Sequence, residues 1–422
     1  MKKLFKIGLI MQGGIGWIGG TEYIKNIILA LSSFPNEERE TFEICLLYNQ
    51  DIAPDIQNQL KPYLNAAYKL ENELEQINFV GRLKWKIRRV LFKQTDPRFS
   101  DFLNKNKFNF IYPYLVPKNE KLLYQGCPWI YDFQHKYLPD LFTKSDVEGR
   151  DRGFAQIADL SSRVVLSSKT AAADFQKFFP DSKCQTEVLQ FRTSLPSSWY
   201  ELDPLLVQQK YNLPERFFLI SNQFWQHKNH LVVLESLKIL QASSIYPVIV
   251  FTGHIYDYRK PDYIDKILQT ISTYGLANQV YLLGLIPRID QIQLMRHSLA
   301  VIQPSLFEGW STVVEDARCL GKKMILSDFP VHLEQDPPGS VFFERNSPQQ
   351  LADLIGEWWE KLPAGVNLEE ESLAQQRNKE DVKKFGYRFL EIAKNSQRGN
   401  TADDRNNRRR PQTNPLLSGC LC

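Results

Sequence analysis

The sequence predicts an α/β protein of two domains, each built on a parallel sheet. Three observations predict it. Short apolar runs alternate with helical patterns along most of the chain, as when strands are linked by crossover helices. The alternation breaks once, at Thr193–Leu213, into serine, proline and short polar residues, and then restarts. A length of 422 residues suffices for two sizeable cores. The expected domains are 1–204 and 205–397. A tail, 398–422, rich in Arg, Asn, Asp and Pro, is expected to be disordered.

In the first half, Ile7–Met11, Ile44–Tyr48, Phe108–Leu115, Trp129–Phe133, Val164–Ser167 and Val188–Phe191 read as strands. The clearest helix there places Ile24, Ile27, Ile28 and Leu31 on one face. In the second half, Phe217–Ser221, Val248–Gly253, Val280–Gly284, Leu299–Ile302 and Met324–Ser327 read as strands. Helical patterns cover Asn229–Leu240, Tyr263–Tyr274, Asp290–Arg296 and Val313–Leu320, and a long polar one covers Glu380–Lys394. Two such domains predict a cleft, because ligands bind beyond the C-terminal ends of parallel strands.

Composition excludes several classes. A net charge of +4 is too small to indicate nucleic-acid binding, and 43% hydrophobic residues indicate a folded chain. No stretch is apolar and long enough to span a bilayer. The six cysteines are mostly scattered, which fits buried thiols in a reducing, cytoplasmic setting rather than a disulfide framework. The segment Arg82-Leu-Lys-Trp-Lys-Ile-Arg-Arg-Val-Leu-Phe-Lys93 allows two readings. It is a solvated basic helix face, or a peripheral contact with an anionic membrane at the inner leaflet.

The stretch Ser305-Leu-Phe-Glu-Gly-Trp-Ser-Thr-Val-Val-Glu-Asp-Ala-Arg-Cys-Leu-Gly321 carries most of the chemistry. It joins a strand to a helix start. Gly309 lets backbone approach a ligand closely. The helix start offers unpaired N–H groups to a diphosphate. Glu308 and Glu315 are acceptors for sugar or ribose hydroxyls.

Four stretches occur in order: Ser221-Asn-Gln-Phe-Trp-Gln-His-Lys-Asn229, Val248-Ile-Val-Phe-Thr-Gly253, Val280-Tyr-Leu-Leu-Gly284 and the Glu-Gly stretch. Together they resemble the retaining family 4 glycosyltransferases. The first half resembles them more loosely, through Gly19-Gly20-Thr-Glu22 and Asp132-Phe-Gln-His135. The resemblance implies the GT-B fold, two facing Rossmann-like domains with a deep cleft. The first domain would bind the acceptor and the second a nucleotide-diphosphate sugar. It implies that Lys228 contacts the donor diphosphate and that Glu308 holds donor-sugar hydroxyls. Glu315 would hold the ribose. The backbone of Gly309, Trp310, Ser311 and Thr312 would lie against sugar and phosphates. His135, after a strand, would sit near the reacting sugar, and Gly19 and Gly20 would face the diphosphate.

Two departures are visible. Gln223 stands where the family usually has an arginine, and Glu308 and Glu315 have six residues between them instead of seven. Asp316 is therefore an alternative second carboxylate. No Asp-x-Asp occurs, so no metal and no cofactor beyond the co-substrate is expected. His227 and His230 read as loop and helix-start residues. The expected function is retaining transfer of a sugar to a hydroxyl of a glycan or lipid-linked glycan. The alternatives are a nucleotide-sugar epimerase on the same fold and a non-catalytic sugar-nucleotide-binding homologue.

Overall fold

A computed structural model describes residues 4–14, 17–49, 52–74, 96–120 and 122–398. The basic segment Arg82–Lys93 and the tail beyond Arg398 lie outside the described residues.

In the first domain, β1 (Phe5–Ile10), β2 (Phe42–Tyr48), β3 (Ala66–Lys69), β4 (Phe110–Tyr112) and β5 (Gln125–Gly126) form a parallel sheet in the order β3-β2-β1-β4-β5. A second parallel sheet follows, β6 (Trp129–Ile130), β7 (Arg163–Leu166) and β8 (Gln185–Val188). The longer helices of this domain are α1 (Ile18–Ser32), α2 (Lys144–Leu160) and α3 (Lys169–Phe178). The apolar face of α1 is fully buried at Ile24, Ile27, Ile28 and Leu31 and shares a core with Ile7, Leu9, Phe110 and Tyr112. Each such side chain contributes about 1.5–3 kcal/mol by leaving water.

The second domain has one parallel sheet of six strands. They are β9 (Phe218–Ser221), β10 (Ile249–Thr252), β11 (Val280–Leu282), β12 (Val301–Gln303), β13 (Met324–Ser327) and β14 (Ser340–Phe343), in the order β11-β10-β9-β12-β13-β14. Its helices are α4 (His230–Ala242), α5 (Tyr263–Tyr274), α6 (Arg288–His297), α7 (Thr312–Cys319) and α8 (Pro348–Lys361). The chain starts in the middle with β9, moves outward to β11 and returns at β12. The gap between the C-terminal ends of β9 and β12 is thus the switch point, where this topology leaves a crevice. The edge strands β3 and β14 go beyond the sequence reading.

Between the domains the chain is partly ordered by a helix, Pro204–Lys210, tied to the second domain by Lys210 and Tyr211 bonding Asp290 at 2.6 and 2.7 Å. The last helix, α9 (Leu368–Arg398), begins earlier than its polar pattern suggests. Its first turns bind the second domain, where Glu371 accepts from Arg296 Nε at 2.7 Å. Its later turns pack on the first domain: Tyr387 stacks on Phe34 at 4.3 Å, and Phe389 meets Phe110 and Tyr112 edge-on. The helix is shared between the two domains. No helix among the described residues is long and apolar enough to cross a membrane.

Candidate functional site

The two domains face one cleft, which holds a cavity of about 390 Å³ lined from both. Its second-domain wall is built from the turns after β9, β10 and β12, including Asn222, Gln223, Lys228, Gly253, Glu308–Val313 and Asp316. Gly253, at φ +143°, lies so close to the turn after β9 that a Cβ would sit 2.0 Å from Asn222 O.

Lys228 ends a short 3₁₀ turn, Gln226–Lys228, and the left-handed residue Asn229 (φ 58°) then starts α4. The Asn229 amide pins this turn by donating to Pro304 O at 3.3 Å and Arg345 O at 3.0 Å. From here Lys228 Nζ donates to Glu308 Oε1 at 2.6 Å. The structure thus joins two expected site residues that are 80 positions apart. Glu308 is 8% exposed. Burial raises its carboxyl pKa, but the Lys228 ammonium, nearby His332 and hydrogen bonds outweigh this and hold it below its ordinary value.

Gln303, at the end of β12 and fully buried, orients this carboxylate. Its amide donates to Glu308 Oε1 at 2.8 Å and to the Ser305 and Ser311 hydroxyls at 3.2 Å, while its carbonyl accepts from Asn222 at 2.9 Å. Sequence reasoning missed it, because a glutamine ending an apolar strand gives no local signal. Gln335 similarly fixes the start of α7, accepting from Ser311 N at 3.1 Å and donating to Ser311 O at 3.0 Å. Ser311 makes no side-chain cap, and Ser311, Thr312 and Val313 line the cavity. The open end of α7 is therefore presented to the cleft.

The second carboxylate differs from the preferred expectation. Glu315 is fully buried away from the cavity wall, pairing with Arg192 Nη1 at 2.8 Å and Arg318 Nε at 3.3 Å and accepting from Gln335 Nε2 at 2.9 Å. Asp316 lines the cavity instead. With one residue fewer before the helix, the position facing the cleft moves on by one, a rotation of about 100°. Asp316 Oδ1 accepts from Arg288 Nη2 at 2.6 Å, and its Oδ2 is buried without a partner. Burial raises the Asp316 pKa, and Arg288 offsets this only in part.

His135 also departs from expectation. It is 1% exposed and absent from the cavity wall, with Nε2 2.9 Å from Asp151 Oδ1 and its ring among Phe133, Phe142 and Phe154. Its neighbour Gln134 reaches the cleft. The short helix Gln134–Tyr137 turns successive side chains to different sides, so only one of the two can point there. Gly19 and Gln223 line the cavity. Gly20 is buried beneath Trp17, whose ring a Cβ would meet at 2.9 Å. His227 and His230 are buried beside the Lys228 turn. Burial holds both imidazoles neutral, His230 at about 3.

The two walls touch. Trp310 Nε1 donates to Phe191 O at 3.0 Å. A Cβ on Gly309 would lie 2.4 Å from Tyr131 O of the first domain. Glu334 accepts from the first amides of α3, Lys169 N at 2.7 Å and Thr170 N at 3.1 Å, and so caps a first-domain helix from the second domain.

Residues 206–375 match the family described as glycosyl transferases group 1. The matched stretch covers most of the second domain. The fold around it is GT-B. HepE of Anabaena, solved with UDP and glucose, matches at TM-score 0.63 and 16% identity over 92% of this chain and 99% of its own. A glycosyltransferase from Rickettsia africae matches at TM-score 0.63 and 12% identity over 94% and 100%. Sucrose-phosphate synthase from Thermosynechococcus elongatus matches at 0.60 and 13% over 93% and 98%. No curated protein matches this sequence.

Proposed function

We propose that the protein is a retaining glycosyltransferase that moves a sugar from a nucleotide-diphosphate donor to an acceptor hydroxyl, without a metal. The observation that carries this reading is the Lys228–Glu308 pair beside the open start of α7, inside a cleft walled by both domains. The donor diphosphate lies against Lys228 and the N–H groups of α7, and the donor sugar's hydroxyls replace Lys228 on Glu308. Gln303 holds Glu308 in place for them. The likeness to HepE, solved with UDP and with UDP-glucose, makes a UDP-sugar the first donor to test.

In the reaction the bond between the anomeric carbon and the diphosphate oxygen breaks. The acceptor oxygen bonds to that carbon from the same face, and its proton passes to the departing diphosphate. Lys228 and α7 stabilise the charge that grows on the leaving group, which is where a fixed cation contributes most. The contacts between Trp310, Gly309 and the first domain exclude water from the reacting sugar.

Lys228→Ala tests the reading. Transfer is expected to fall by at least about a hundredfold in a variant that still folds, at a melting temperature lowered because buried Glu308 loses its cation. Near-normal transfer by the folded variant would remove Lys228 from this role. UDP-sugar binding by the wild type without turnover across an acceptor panel would favour a non-catalytic homologue.

A further inference from the structure

The cleft holds a further cationic feature, apart from Lys228 and Arg288. Arg150 projects from α2 of the first domain, and Arg259 from the loop between β10 and α5 of the second. Both line the cavity. Their guanidinium carbons each lie 5.2 Å from the centre of the same ring, Phe142. The two groups are therefore within about 10 Å of one another, in a site shielded from bulk water where like charges repel appreciably.

Each arginine has its own aspartate. Arg150 pairs with Asp132, and Arg259 Nε with Asp257 Oδ1 at 3.1 Å. Among the described residues no carboxylate pairs with both. Arg259 Nη1 donates across the cleft to the neutral Gln134 Oε1 of the first domain at 3.3 Å. Arg259 Nη2 lies 3.4 Å from Nδ1 of His227, and burial keeps that imidazole uncharged. Arg150 Nε is buried without a partner. Two guanidinium groups on one aromatic ring, with a spare buried donor, are a donor set suited to a planar or tetrahedral anion.

We propose that Arg150 and Arg259 form an anion-recognition subsite spanning the two domains, for a phosphate or carboxylate carried by one of the sugar substrates. The inference rests on the transfer reading given above. An anion there accepts from both guanidinium groups and ties the domains together. The cleft is then most stable in its closed form when the correctly charged substrate is present. The group comes from the acceptor, as a sugar phosphate or uronic acid, or from the donor, as a uronic acid on the nucleotide.

Calorimetry on the full chain separates these sources. In the acceptor arm, glucose, glucose 6-phosphate and glucuronate are titrated in saturating UDP. In the donor arm, UDP-glucose is compared with UDP-glucuronate. The anionic ligand is expected to bind at least about tenfold more tightly in one arm. Arg150→Gln and Arg259→Gln should each remove most of that preference while UDP affinity holds, at a melting temperature lowered by the loss of each aspartate's partner. Should either glutamine variant fail to fold, Arg150→Lys or Arg259→Lys keeps the charge but not the fork, and the preference should shrink without vanishing. No preference in either arm, or one that survives these substitutions, overturns the subsite while leaving the transfer reading intact. Failure of the wild type to bind UDP or either UDP-sugar overturns the transfer reading itself.

Discussion

Gly309→Ala isolates the contact between the two cleft walls from everything else in the site. The added Cβ would lie 2.4 Å from Tyr131 O and 3.1 Å from its carbonyl carbon. Ordinary contact begins near 3.4 Å, so the walls must part by about 1 Å. Both groups are backbone, and no side chain can rotate to relieve the clash. The neighbouring bond from Trp310 to Phe191 O would stretch with it. A 1 Å misplacement of reacting groups costs roughly a hundredfold in rate, or about 2.7 kcal/mol of barrier. The second domain's own core is untouched, so melting temperature and UDP affinity should stay near wild type. Steady-state transfer, calorimetry with UDP and a thermal melt give the three readouts. If kcat is unchanged while the alanine is demonstrably present, closure around Gly309 is not what completes the site.

Other outcomes follow from the carboxylates and histidines. Glu315→Gln should lower stability by about 3 kcal/mol, through Arg192 and Arg318 left unpaired, with donor affinity kept. Asp316→Asn should instead weaken donor binding about tenfold. The reverse pattern would restore Glu315 to the site. Acid should destabilise the protein below pH 6.5, because burial lowers His332 to about 4 and His230 to about 3 in the folded state. In that window the unfolded chain binds protons that the folded one refuses, so stability falls as pH drops from 6.5 toward 4, by about 3 kcal/mol for His332 alone. Urea melts at pH 7 and pH 5 check the sign. A higher midpoint at pH 5 would contradict it.

Much of this architecture was legible in the sequence because strand and helix periodicities are local. The burial of Ile24, Ile27, Ile28 and Leu31 on one face of α1 follows directly from their spacing. Lys228 and Glu308 were also legible as candidates, since each sits in a short stretch with its own turn chemistry. Their pairing was not, because it depends on how the turn after β9 meets the turn after β12. The edge strands β3 and β14 are short, and only their neighbours define them. Glu315 and His135 show the limit most clearly. Each stands one position from the residue that reaches the cleft, Asp316 and Gln134, and a one-residue rotation on a helix cannot be seen from a motif alone.

The shared helix α9 also bears on how the chain is made. Val382, Phe385, Phe389, Ile392 and Ala393 complete a core whose other members begin at Ile7. During synthesis the first domain emerges from the ribosome without this wall. Phe34, Phe110 and Tyr112 lack the cover that α9 gives them until that helix has been made. Such early apolar surface, waiting for a partner several hundred residues away, slows folding and invites aggregation. Chains halted before α9 should be the form that chaperones hold, and completion of that helix the event that releases them.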